Sequence, residues 1–150
     1  MATWDEYERT MRAALASLAE KSAASHVAFG DLFLEDVRAY RERLLEGTGV
    51  EPLFPLWGLD TRQLAHAMEA GGIDAVIVAA PDTSPVASLV GTRWSPSVLE
   101  KLSRVDPCGE RGEFHTCVVG GPGLRALEVD VGPVIERDGT AYADVQLRGP

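Results

Sequence analysis

Ala75-Val76-Ile77-Val78-Ala79-Ala80 is the stretch on which the fold class turns. Six apolar residues follow one another without polar alternation. A strand with this texture has both faces covered, the usual situation in a parallel sheet. Upstream, His26-Val27-Ala28-Phe29 reads as a second short buried strand, ending at Gly30-Asp31. Helical patterns surround both. Thr3 with Glu6 forms a capping box, and Trp4, Tyr7, Met11, Leu15 and Leu18 then recur as one apolar stripe. A further helix is predicted from about Leu34 to Glu46, stopped by Gly47 and Gly49. Asp60 with Gln63 opens another, which ends at Gly71-Gly72, and Ser95-Pro96 opens a last short one.

Between these lies Leu53-Phe54-Pro55-Leu56-Trp57, apolar but broken by proline, read as a strand end or an ordered loop. After Gly112 the texture changes to strands: Phe114 to Val119, Ala126 to Glu136 and Ala141 to Leu147. The last two meet at Asp138-Gly139, a hairpin signal. Strands alternating with helices predict an α/β fold, a partial parallel sheet flanked by helices, followed by a C-terminal β region. Only two or three parallel strands are legible, and the chain opens on a helix. A partner strand is therefore expected from another chain or from a missing N-terminal part.

The chain has 150 residues, 45% of them hydrophobic and 25% charged, which suits a folded domain with a real core. Its net charge of −9 argues against a sequence-independent grip on a nucleic-acid backbone. A local arginine pocket for a phosphate is compatible with that balance. Cys108 and Cys117 do not make a disulfide framework in a chain of this length. There is no signal peptide pattern and no run near the ~18 apolar residues of a membrane span, so a soluble cytoplasmic protein is expected.

Two segments carry candidate chemistry. In Gly30-Asp31-Leu32-Phe33-Leu34-Glu35-Asp36-Val37-Arg38-Ala39-Tyr40-Arg41, Gly30 and Asp31 sit at the carboxyl end of a strand, where open α/β sheets bind ligands. At about 100° per residue, Arg38 and Arg41 fall inside the apolar stripe of the following helix. Either their stems lie on the core with the heads in solvent, or the guanidiniums reach an anion or carboxylate in a cleft. Glu35 and Asp36 lie in the first turn, where the helix dipole favours carboxylates in any case.

The second segment is Asp106-Pro107-Cys108-Gly109-Glu110-Arg111-Gly112-Glu113-Phe114-His115-Thr116. Glu110 and Glu113 suit Mg²⁺ binding, an ammonium group or base chemistry, and a polar surface loop is the plainer reading. Cys108, His115 and Cys117 do not match a zinc spacing and lack a fourth ligand. A cysteine–histidine nucleophile remains open, with neither cysteine marked as activated. His26 and His66 read as structural or surface residues. No G-x-x-x-x-G-K-[ST] loop occurs. Gly121-Pro122-Gly123-Leu124-Arg125-Ala126 matches G-x-G-x-x-A, but a strand pattern follows it and not a helix.

At GDLFLEDVRAYRERL, PLFPLWGLDTRQLA and DPCGERGEFHT the sequence resembles the diphthine–ammonia ligase (diphthamide synthase) family of N-type ATP pyrophosphatases. The likeness runs from about Glu6 to near Gly123. It implies an adenine nucleotide alpha hydrolase-like fold, with a truncated nucleotide-binding-type α/β domain over 1–105. A substrate-facing loop and C-terminal β segment over 106–150 would belong to the same compact unit. It also implies ATP with Mg²⁺, activation of a carboxylate as an acyl-adenylate, and displacement of AMP by ammonia. In the family's eukaryotic and archaeal members that carboxylate is the diphthine of elongation factor 2.

By the same resemblance, Gly30 and Asp31 would line the nucleotide site and Glu35, Asp36, Arg38 and Arg41 would support it. Glu110, Glu113 and His115 would face the activated carboxylate or the ammonia. Family members open on a strand and an SGGKDS-type phosphate loop, which this sequence lacks. That loop is expected from a separate chain, or a homo-oligomer covers the open sheet edge. The other reading is a degenerate nucleotide- or substrate-binding module without catalysis.

Overall fold

A computed structural model describes residues 3–149, except for the side chain of Trp4. The protein is mixed α/β and forms two compact units, one up to Leu59 and one from Asp60 onward.

The first unit opens on α1 (Trp4–Ser22), whose capping box closes as predicted. Glu6 N–H donates to Thr3 Oγ1, and Thr3 N–H donates to Glu6 Oε2, both at 3.3 Å. The predicted stripe is only partly covered: Met11 and Leu15 are half-buried, but Leu18 is 61% exposed. The place of Trp4 in that stripe lies outside the described residues. β1 (His26–Ala28), α2 (Glu35–Leu45) and β2 (Glu51–Leu53) follow as a strand–helix–strand crossover. The two strands pair in parallel, His26 opposite Glu51 and Ala28 opposite Leu53. Leu32, Leu44, Leu45 and Val50 supply the buried apolar residues here.

α1 also finishes α2. The last carbonyls of a helix have no intrahelical donor, and a cation there meets the negative end of the dipole. Arg12 donates from Nη1 to the Arg43 carbonyl (3.1 Å) and from Nη2 to the Glu46 carbonyl (2.6 Å). Arg12→Ala is expected to cost about 1 kcal/mol, because these are charge-assisted but solvent-facing bonds. Faster hydrogen exchange across α2, with a lower urea midpoint, is the measurable consequence.

The second unit begins with α3 (Thr61–Ala70), capped by Asp60, whose Oδ1 accepts from Gln63 N–H at 2.8 Å. β3 (Asp74–Pro81) follows, then a 3-10 turn over Ala87–Leu89 and α4 (Pro96–Lys101), capped by Ser95. β4 (His115–Gly120), β5 (Val129–Arg137) and β6 (Thr140–Leu147) complete it. Asp138 and Gly139 take positive φ (51° and 76°) at the β5–β6 hairpin, the backbone that an Asp-Gly turn favours.

One expectation is corrected here. β3 is covered along its length, with Ala75, Val76, Ile77, Ala79 and Ala80 all buried, yet it lies in an antiparallel sheet ordered β4-β3-β6-β5. It runs antiparallel to both neighbours. Lack of alternation reports coverage of both faces, not the direction of the partners. The extended segment 91–94 explains how β3 stays saturated where β6 does not reach. Ile77 N–H donates to the Thr92 carbonyl, Gly91 N–H to the Ile77 carbonyl and Trp94 N–H to the Ala75 carbonyl. Arg93, in that segment, forms an ion pair with Asp74.

The predicted C-terminal β region is present, but it is continuous with β3. Pairing of β3 with β4 and β6 joins residues on both sides of the boundary expected at 105. Among the described residues, parallel pairing is confined to β1 and β2. Ile77 and Ala80 join Ala65, Val86, Leu89, Val90, Val98, Leu99, Leu102 and Phe114 in one apolar cluster of the second unit.

Candidate functional site

Because β1 and β2 are parallel, the segments that follow them leave the sheet at the same end. β1 leads into Phe29-Gly30-Asp31 and β2 into Phe54-Pro55-Leu56-Trp57-Gly58. Two backbone bonds hold the segments together: Phe29 N–H donates to the Leu53 carbonyl and Gly58 N–H to the Leu32 carbonyl, each at 2.8 Å. The rings pack in series. Phe29 stacks on Phe54 with centroids 5.7 Å apart, and Phe54 meets Trp57 edge-on at 6.0 Å.

α2 sends two arginines onto this aromatic group. The Arg38 guanidinium carbon lies 4.8 Å from the Phe54 centroid and 4.7 Å from that of Trp57. That of Arg41 lies 5.1 Å from the Phe29 centroid. Each such contact contributes ~0.5–1 kcal/mol at an accessible site. Each guanidinium spends its side-chain hydrogen bond through Nε, Arg38 on Glu42 Oε1 (3.0 Å) and Arg41 on Asp31 Oδ2 (3.3 Å). The Asp31–Arg41 pair is the less exposed, at 15% and 26% of the side chains. Arg38 thus meets a half-exposed carboxylate on its own helix, and Arg41 the less exposed carboxylate of Asp31. No Nη hydrogen bond of either arginine occurs among the described residues, and a guanidinium fork suits a bidentate anion contact.

Gly30 is exposed, and a Cβ built there would meet nothing within 4 Å. Glu35 and Asp36 occupy the exposed first turn of α2, where Leu34 offers no side-chain cap. Their charge compensates the helix end without any ligand. Asp36 also lines an open cavity of about 500 Å³ with Tyr7, Val37, Tyr40, Arg41 and Arg43.

Glu110, Glu113 and His115 belong to the second unit. Their loop is organised by its own carboxylates. Asp106 accepts from Cys108 N–H (3.2 Å) and Glu110 N–H (3.0 Å), and Glu113 Oε2 accepts from Arg111 N–H (3.0 Å). Gly109 is required where it stands: its φ is +69°, and a Cβ would come within 2.9 Å of the Phe114 carbonyl oxygen. Phe114 anchors the loop in the core, and His115 is exposed at the start of β4 opposite Ala79. The structure thus brings Asp31, Arg38 and Arg41 onto one aromatic group in the first unit, and the Glu110–His115 group lies in the second.

Cys108 donates from Sγ to the Thr61 carbonyl (3.3 Å). Burial, then Asp106, Glu110 and Asp60, push its thiol up from 9.0 to about 11. A thiol held protonated at neutral pH is a poor nucleophile, which argues against Cys108 as the nucleophile of a cysteine–histidine pair. In a Cys117→Ser background, Cys108 is expected to resist a disulfide reagent at pH 8 and to react fully once the chain is unfolded. The unfolded thiol ionises near its ordinary value while the folded one does not. Stability contributed by this group is therefore complete below about pH 9 and falls away as the pH rises toward 11.

Among the described residues, no three His, Cys, Asp or Glu side chains gather as a metal cage. No helix among them is long and apolar enough to cross a membrane. No protein-family model matches the chain, and no curated protein matches it. Sequence reading missed Phe29, Phe54 and Trp57 as site residues. The signal was there in PLFPLW beside a strand end, but its meaning depended on the parallel pairing of segments some 25 residues apart.

Proposed function

We propose that the chain contributes the nucleotide-recognising part of an ATP-dependent amide ligase of the diphthine–ammonia ligase kind, on an adenine nucleotide alpha hydrolase-like frame. One observation carries the reading: two arginines anchored on Phe29, Phe54 and Trp57 beyond the carboxyl ends of parallel β1 and β2. That is where open α/β sheets hold their ligands. The purine has aromatic faces to stack on, and the phosphates have guanidinium Nη groups to accept from.

In the proposed reaction, a carboxylate oxygen attacks the α-phosphorus of ATP and the bond to pyrophosphate breaks. Ammonia then attacks the acyl carbon of the adenylate, AMP leaves and the nitrogen gives up a proton. Glu110, Glu113 and His115 face that second step in this reading. By the resemblance, one of these three groups would accept that proton. The described residues do not form a magnesium cage by themselves, and the ion arrives on the ATP phosphates, as magnesium commonly does. A separate segment carrying an SGGKDS-type loop supplies the pyrophosphate cradle.

A second reading, a binding module without turnover, is favoured by the loop carboxylates already spent on their own backbone. Mg·ATP separates these readings from a chain that does not recognise nucleotide. At a hundredfold excess over Kd the gain in stability is ~2.7 kcal/mol, a readily measured rise in Tm. AMP formation in the presence of ammonia then distinguishes ligase from binding module. An unchanged Tm at millimolar Mg·ATP contradicts nucleotide recognition by this chain, and with it every reading except a module that binds substrate alone.

A further inference from the structure

The hydrogen-bond phase of the parallel pair decides which backbone groups of the first unit face outward. Glu51 N–H donates to the Ser25 carbonyl (2.9 Å) and Phe29 N–H to the Leu53 carbonyl (2.8 Å). Ser25, Val27 and Phe29 therefore turn their peptide groups toward β2, and His26 and Ala28 turn theirs away. On β2 the outward residues are Val50 and Pro52. Val50 N–H is taken by Thr48 Oγ1, and Pro52 has no N–H to give.

Proteins blunt open strand edges because unpaired N–H and C=O groups recruit other strands. β2 is blunted by Pro52. β5 carries Pro133 and a register irregularity between Val131 and Val134. On β4 the Val119 carbonyl is occupied by Leu127 N–H. The edge of β1 has no such device. His26 and Ala28 are exposed, and their outward N–H and C=O groups have no partner among the described residues.

We infer that this edge pairs with the same edge of a second copy of the chain. Run antiparallel about a twofold axis at Val27, His26 of each copy faces Ala28 of the other, and each pair exchanges N–H and C=O both ways. Every outward group of both edges is then used. The two Val27 side chains meet on the less exposed face, where close non-hydrogen-bonded neighbours pack best. Charge fits as well. A net charge of −9 opposes association in general, but this pairing sets His26 against alanine and leaves each Glu51 beside its own His26 (3.6 Å), so no like charges are opposed. The product is a four-stranded sheet ending in Pro52 at both sides, so assembly closes at two copies. The inference does not rest on the nucleotide reading, and at this edge a second copy competes with a loop-carrying strand from a separate segment.

Sedimentation equilibrium of the full chain, from about 5 to 500 μM, tests it, since a dimer follows mass action. The weight-average mass is expected to climb from 16.1 kDa toward twice that value. Ala28→Pro removes an N–H used only outward, and at least a tenfold weaker dimer is expected with an unchanged circular dichroism spectrum. Should that variant fail to fold, hydrogen exchange of the native chain serves instead: the His26 and Ala28 amides slow in step with the mass. A monomer throughout overturns the inference. So does a dimer that survives Ala28→Pro, or one that leaves those amides unprotected. Protection already complete in the monomer puts a segment of the same chain on the edge and overturns it too.

Discussion

Ile77→Ala is expected to lower the stability of the second unit by about 3 kcal/mol, while Ile77→Val costs about 1 kcal/mol. Ile77 has no exposed surface and belongs to the apolar cluster that also holds Leu102, Val86 and Phe114. Truncation removes three carbons and leaves a void. The strand cannot collapse to fill it, because β3 is bonded to β4 on one edge and to the 91–94 segment and β6 on the other. Val131→Ala, on a half-buried residue packed against the same cluster, is expected to cost much less. Urea unfolding of the three variants gives the comparison. A loss below about 1 kcal/mol for Ile77→Ala would mean that β3 is not the saturated centre of its sheet.

Arg41→Ala should weaken Mg·ATP binding by roughly 10- to 100-fold, the range for losing a charge-assisted hydrogen bond. Two costs act in the same direction. The guanidinium over Phe29 is lost, and the Asp31 carboxylate is left without its cation at the proposed nucleotide site. Arg38→Ala removes a cation whose carboxylate partner, Glu42, is 48% exposed and so well screened, and a smaller loss follows. Arg41→Lys keeps the charge but not the flat fork, and falls between wild type and alanine. Equal losses for Arg38→Ala and Arg41→Ala would show that the Asp31–Arg41 pair has no special part.

Local grammar was legible because its causes are local. The Thr3–Glu6 box, the Asp60 cap, the Ser95-Pro96 start and the Asp138-Gly139 turn each involve groups a few residues apart. Burial of both faces of residues 75–80 was legible from composition alone. The direction of their neighbours was not, since antiparallel partners from residues 115–120 and 140–142 can cover a strand as completely as parallel ones. Exposure of Leu18 was hidden for a similar reason: periodicity shows that a stripe exists, not how far its partner extends. At the candidate site, the helical phase put Arg38 and Arg41 within the apolar stripe, and both are half-buried against aromatic rings. Phe29 comes from beyond β1 and Phe54 and Trp57 from beyond β2, and their gathering became visible only with the register His26 to Glu51.

Calorimetric titration of the 150-residue chain with Mg·ATP bears most directly on the proposed nucleotide site. Saturable heat with a Kd on the order of micromolar, near −8 kcal/mol, is predicted, together with the loss described above in Arg41→Ala. No heat and no stabilisation at millimolar Mg·ATP would contradict it.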